Sequence, residues 1–234
     1  MNKLFKSIFF LVTILFVTNV SDASAESVEN LEGTTVVQEF EVEGNQNATV
    51  EFIDPDLVGK SRNELSKIDD SVSPLGVINE VYSYSYYSYG SHSIAAYNVG
   101  PISNQKFLVS VARGQTKNIS QTVTVSGTVT YEASVEGSLK EVINIGLTGS
   151  ASGTISYTYS KSESYVGPDA PNTTRDYYGA IQYDLYNTTV KKYDVYKVYN
   201  GNVQTGTTTY PGKSTTINNV KKPKAIVTMR DFIN

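Results

Sequence analysis

From Thr122 to Ser160 the chain keeps a two-residue parity that constrains its folding more than any other feature. In the first limb Thr122, Thr124, Ser126, Thr128, Thr130, Glu132, Ser134, Glu136 and Ser138 alternate with Val123, Val125, Gly127, Val129, Tyr131, Ala133 and Val135. The second limb sets Ile143, Ile145, Leu147, Gly149, Ala151, Gly153, Ile155, Tyr157 and Tyr159 against Asn144, Gly146, Thr148, Ser150, Ser152, Thr154, Ser156, Thr158 and Ser160. Successive strand side chains point to opposite faces, so each limb reads as a long strand, apolar on one side and hydroxyl-rich on the other. Glu136 to Val142 breaks the parity and reads as the turn of a long antiparallel hairpin.

The rest of the chain supports an all-β class: an elongated antiparallel sheet or sandwich with one short helix near the N-terminus. Ser, Thr, Val and 18 Tyr suit a pleated, half-buried surface. Thr34 to Val42 and Ala48 to Phe52 alternate around Gly44-Asn45-Gln46-Asn47 and read as a hairpin with an acidic outer side. Ser61-Arg62-Asn63-Glu64 fits a capping box, with Leu65 and Ile68 at helical spacing behind it. Further strands are expected at 77–89, at 102–113 after a Gly100-Pro101 turn, at 177–186, and at 193–199 before the hairpin signal Asn200-Gly201. Residues 202–210 return, Pro211-Gly212 turns, and 225–233 closes the series. Lys221-Lys222-Pro223-Lys224 reads as a solvated basic loop that guards an edge.

Three regions follow. Residues 1–25 have the form of a signal peptide: Lys3 and Lys6, an apolar run from Ile8 to Val17, and small residues at Ala23-Ser24-Ala25. The run is shorter than the roughly 20 residues of a spanning helix, so a secreted protein is expected. Residues 26–73 form an acidic segment and 74–234 a β-rich domain. From Glu26 to Glu80 there are 13 acidic and 3 basic residues, whereas Val81 to Asn234 has 9 acidic and 14 basic. The acidic segment is either a solvated region or a pro-region lying against the basic body, ending in a linker at Ser71-Val72-Ser73-Pro74.

The chemistry that is missing narrows the function. One histidine and no cysteine exclude a Cys-His nucleophile, a His/Cys metal cluster and a disulfide framework. No phosphate-cradling glycine loop precedes a helix, so no cofactor is implied and the chain is read as a non-enzyme. Asp54-Pro55-Asp56 is either a weak calcium ligand or a simple turn. No basic groove with interleaved aromatics stands out, which argues against nucleic acid. Tyr82, Tyr84 and Tyr86 share one face of their strand and read either as packing or as a surface for sugars or lipid headgroups.

A Ser/Thr-rich alternating hairpin between longer strands, in an exported chain without cysteine, resembles the aerolysin-like pore-forming toxins, especially the epsilon-toxin and mosquitocidal-toxin branch. The resemblance covers roughly Phe107 to Tyr186, with Tyr165-Val166-Gly167-Pro168 as the exit loop. It implies a soluble β-body on which the 122–160 hairpin lies folded until several protomers join their hairpins in a membrane barrel. The implied partners are a target membrane, a surface receptor or glycan, and further copies of the chain. Lipid would then meet Val123, Val125, Val129, Tyr131, Val135, Ile143, Ile145, Leu147, Ile155 and Tyr157. Thr124, Thr128, Thr130, Glu132, Glu136, Thr148, Ser150 and Ser152 would line the lumen, with Leu139 and Val142 at the tip.

Each limb exceeds the roughly 9 to 11 residues of a tilted membrane strand, and the middle of the apolar face carries no charge. A half-buried soluble strand has the same period, so a secreted β-sandwich that binds a cell surface or matrix through its tyrosines stays open as the second reading. Processing is directly testable. Exported protein should begin at Glu26 on N-terminal sequencing, and a chain still beginning at Met1 refutes the signal peptide.

Overall fold

The computed structural model describes residues 33–62 and 78–233. The expected signal peptide, most of the short N-terminal helix and the 71–74 linker lie outside these residues. The fold is all-β around one five-stranded antiparallel sheet in the order β1-β9-β8-β3-β2. Its members are β1 (Thr35–Phe40), β2 (Thr49–Phe52), β3 (Ile78–Ala112), β8 (Thr174–Asn200) and β9 (Val203–Phe232). Between β3 and β8 come β4 (Thr116–Asn118), β5 (Val123–Thr128), α1 (Gly137–Thr148), β6 (Thr154–Tyr159) and β7 (Ser164–Val166). β4 pairs with β7, and β5 with β6, in two separate two-stranded ribbons.

The three central strands are longer than their local sequence signals indicate. The expected break at Gly100-Pro101 is absorbed inside β3. From Ile94 to Lys106 that strand faces only Tyr186 to Gly179, and its surplus residues form bulges with positive φ at Asn98, Gly100 and Asn104. Asn and Gly are the residues that tolerate this conformation at least cost. Pro211-Gly212 likewise does not end a strand. Pro211 sits at a register shift opposite Tyr193, on a stretch of β9 beyond the reach of β1, so its missing N–H interrupts no second ladder. The Asn200-Gly201 turn is where expected, with Gly201 at φ 58°.

Two further expectations are corrected. The stretches 34–42 and 48–52 do not form a hairpin with each other. β1 joins β9 at one edge of the sheet and β2 joins β3 at the other, so the connecting residues cross a sheet face. The basic run Lys221 to Lys224 is not a solvated loop. It is part of β9, and Lys224 is only 2% exposed. Its Nζ lies 2.7 Å from Glu39 Oε2 and 3.1 Å from Asp184 Oδ1. Burial alone would lower the Lys224 pKa, but bonds to these two carboxylates outweigh it and the net shift is upward.

Side-chain parity divides the core in two. β8 and β9 pair without a shift from Thr174↔Phe232 to Tyr186↔Val220, so Ile181 and Tyr186 point to opposite faces, as do Ala225 and Val220. Ile181, Tyr177, Ala225 and Val227 pack with Val123, Val125 and Tyr159 from the β5–β6 ribbon. Tyr186, Val190 and Val220 pack with Leu139, Val142, Ile143 and Leu147 of α1. The 122–160 segment therefore bends around the β9 edge and covers both faces. It is held at the bend by a two-way backbone bridge between Thr130 and Lys221, with N···O distances of 3.1 and 2.9 Å.

Lys224→Ala should destabilise the fold by about 3 kcal/mol, because Asp184 would stay buried without its cation. The shift in denaturant midpoint measures this. Lys224→Met, which keeps the bulk, should lose a similar amount if the charge rather than the volume matters.

Candidate functional site

The 122–160 segment is the candidate site. The β5–β6 ribbon keeps the register expected of a hairpin, with Val123 opposite Tyr159 and Thr128 opposite Thr154. On its outer side the hydroxyls join across the ribbon: Thr124 to Thr158 at 2.8 Å and Thr128 to Thr154 at 2.9 Å. On its inner side Val123, Val125, Gly127, Ile155 and Tyr159 are buried against the sheet. The apolar side chains of a strand pair must be covered by something, and here the cover is the body of the protein itself.

Beyond Thr128 the expected two long strands give way to a different arrangement. Residues 137–148, expected as turn and strand, form α1. Leu139, Val142, Ile143, Gly146 and Leu147 recur at helical spacing, so the stretch also has an apolar helical face, and that face packs on Tyr87, Tyr89, Tyr186 and Val190. The helix is intrinsically weak. It has no side-chain N-cap bond, no acidic residue in its first turn and no basic residue in its last. It also contains β-branched Val142, Ile143 and Ile145 with Gly146. Gly149 ends it at φ 74°, its N–H bonding to the Ile145 carbonyl at 2.9 Å.

All ten residues read as an apolar face are buried or half-buried: Val123, Val125, Val129, Ile143, Leu147 and Ile155 fully, and Tyr131, Val135, Ile145 and Tyr157 in part. Of the polar set, Thr124, Thr128, Thr130, Glu132, Glu136 and Ser152 are exposed and Ser150 is half-exposed. Thr148 departs from its set. It is buried in the last turn of α1, where its hydroxyl donates to the Asn144 carbonyl at 2.8 Å. Leu139 and Val142 are not at an exposed tip either, because the helical phase turns both into the core.

The tyrosine strand splits between the two faces. A register shift between Tyr82 and Tyr84 puts Tyr82 on the covered side, where its hydroxyl accepts from the Asp54 N–H at 2.8 Å. Tyr84 and Tyr86 stay half-exposed, and Tyr86 stacks on Tyr193 at 5.0 Å. Asp54 closes a turn by accepting from the Asp56 N–H at 2.9 Å. Its other oxygen holds Lys192, and that bond lowers the Asp54 pKa.

Two contacts that the parity does not single out bind the segment to the body, and a third braces it internally. Tyr159 is fully buried and its hydroxyl donates to the Ile226 carbonyl at 2.6 Å, while Gly179 opposite has no room for a Cβ beside the ring. Phe40 of β1 stacks on Tyr157 at 4.2 Å. Asn144 is buried, accepting from Tyr131 Oη at 2.7 Å and donating to the Ala151 carbonyl at 2.9 Å, and so ties α1 to the connections on both of its sides. The Tyr131 hydroxyl is pushed far above its ordinary pKa, chiefly by burial. A polar residue on the polar parity of a hairpin gives no hint of such a role.

Tyr159→Phe should cost about 1 kcal/mol in thermal or chemical unfolding, because it leaves the Ile226 carbonyl without this donor. Gly179→Ala should cost more, since the Tyr159 ring must move. Comparison of the chain with protein-family models, curated proteins and solved structures found no match in any of the three.

Proposed function

We propose that this protein is a secreted β-pore-forming protein that oligomerises on a target membrane and inserts its 122–160 segment. The observation that carries this reading is the way the segment is attached. β5 and β6 hydrogen-bond to each other in a ribbon of their own, while the ladders linking β3, β8 and β9 are complete without them. Detaching the segment therefore breaks none of these ladders. It costs apolar burial, which a bilayer returns, together with local bonds such as the Thr130–Lys221 bridge and those from Tyr87 to Glu136, Asn104 to Ser126, Lys106 to Thr124 and Asn219 to Glu132. It leaves the body's long strands paired.

The arrangement also states what must change. β5 and β6 each span 6 residues, fewer than the roughly 9 to 11 needed to cross hydrocarbon. The inserted form must extend them through 129–135 and 143–153, which unfolds α1. There Ile143, Ile145 and Leu147 fall on one strand face with Ile155 and Tyr157. Backbone groups in lipid must be paired, so one hairpin cannot cross alone and several copies must close a barrel. Among the described residues no helix is long and apolar enough to cross a membrane.

Dye release from liposomes tests the reading. Lysine at Val129 should abolish leakage, at about 2 to 4 kcal/mol of insertion cost per protomer, whereas lysine at Thr128 should release dye and alter ion selectivity. Val129 is also buried in the soluble form, so the folded content of V129K is to be checked by circular dichroism. Single cysteines walked from Thr122 to Val135 with a polarity-sensitive label should alternate in water as far as Glu132, where the burial pattern stops, and should continue the period-two signal through Ala133, Ser134 and Val135 only with membranes. Absence of leakage from wild-type protein on every liposome composition tried would refute the pore.

A further inference from the structure

Residues 41–48 connect β1 to β2, and they do so across the sheet face that carries Tyr186 and α1. Glu41 and Glu43 lie near enough to act electrostatically on Lys222, and Glu41 on Tyr186, which places the first half of the connection over β8 and β9. Its second half passes the last turn of α1, backbone against backbone. The Asn45 N–H donates to the Ile145 carbonyl at 3.0 Å. A Cβ on Gly44 would overlap the Gly146 carbonyl oxygen, and one on Gly146 would overlap the ring of Tyr89. Strap, helix and sheet are thus stacked through two glycines with no space between them. The chain then turns at Asn45, whose side chain accepts the Asn47 N–H at 3.0 Å, and seats buried Ala48 beside Tyr89, where the Tyr89 N–H donates to the Ala48 carbonyl at 2.9 Å. From there Val50 and Phe52 of β2 close the side of α1, Phe52 stacking on Tyr87 at 4.5 Å.

The geometry points to a latch: we infer that the 41–52 strap holds α1 in its docked helical form, and that lifting this strap is the step that frees the 137–148 stretch to change conformation. The helix is poorly able to supply this stability itself, since it has no side-chain N-cap bond and carries β-branched Val142, Ile143 and Ile145 beside Gly146. The strap is well placed to be lifted. Glu41, Glu43, Asn45, Gln46 and Asn47 are exposed, and β1 and β2 are edge strands, each paired on one side only. Its removal leaves the β3-β8-β9 ladders whole. The latch regulates the same segment that the pore reading inserts, and it rests on that reading only for the leakage that release would cause.

Hydrogen exchange on the full chain tests the latch, with vesicle leakage recorded beside it. A protease site inserted between Gln46 and Asn47 allows the strap to be cut after the protein has folded, so no folding step intervenes. In a second variant, Gly44→Ala, the added methyl must push the strap off Gly146. In both, amides of 143–148 should exchange roughly tenfold faster or more, while amides of 177–185 in β8 keep their protection and report an intact body. Faster exchange in α1 with no leakage supports the latch and overturns the pore reading. Unchanged exchange in 143–148 after the strap has been cut in the Gly44→Ala chain overturns the latch, whatever the leakage.

Discussion

β8 has a hydrogen-bonded neighbour on both sides over nearly its whole length, with β3 on one and β9 on the other. That double ladder is the constraint on which the other parts of the molecule depend. It satisfies the backbone of the central strand without help from any side chain, which lets both faces vary. It also explains how Pro211 and the bulges of β3 are tolerated. The irregularities fall in the outer two of the three strands, where a missing donor or a surplus residue disturbs one ladder instead of two.

On this frame the 122–160 segment is an addition made mostly of side-chain contacts. It covers one face with β5 and β6 and the other with α1, and it bends around the β9 edge at Thr130. Apolar burial is non-directional, so such a cover can leave one surface for another of similar polarity, which a hydrogen-bonded strand of the central sheet cannot do without breaking its ladder. Polar bonds to the frame are local rather than a continuous ladder, among them the Thr130–Lys221 bridge, Tyr159 to Ile226, Tyr87 to Glu136, Asn104 to Ser126, Lys106 to Thr124 and Asn45 to Ile145.

The charge asymmetry of the sequence reappears as short-range pairing. Glu39 reaches Lys224 and Asp54 reaches Lys192, so at these places the acidic N-terminal part touches the basic body directly. Direct contact matters because charges farther apart than a Debye length of about 8 Å are screened at physiological salt. These pairs hold β1 and the turn after β2 at opposite ends of one sheet face, and the strap is stretched across that face between them.

The sequence by itself determined the all-β class, the Asn200-Gly201 turn and the two faces of β5 and β6, because a half-buried strand writes its burial directly into alternate residues. Val123, Val125 and Ile155 face the core and Thr124, Thr128 and Thr154 face solvent for that reason alone. Only the tertiary structure decided the rest. Between 137 and 148 the residues fit both periods: Ile143, Ile145 and Leu147 line a strand face, while Leu139, Val142, Ile143 and Leu147 line a helix face. Local pattern cannot choose between them, and the waiting surface of Tyr87, Tyr89 and Val190 does. The same holds for 34–52, where a turn signal and two alternating runs suggest a hairpin. The open edges of β9 and β3, whose unpaired backbone groups no local pattern reveals, draw the two strands apart and leave Gly44 crossing Gly146 between them.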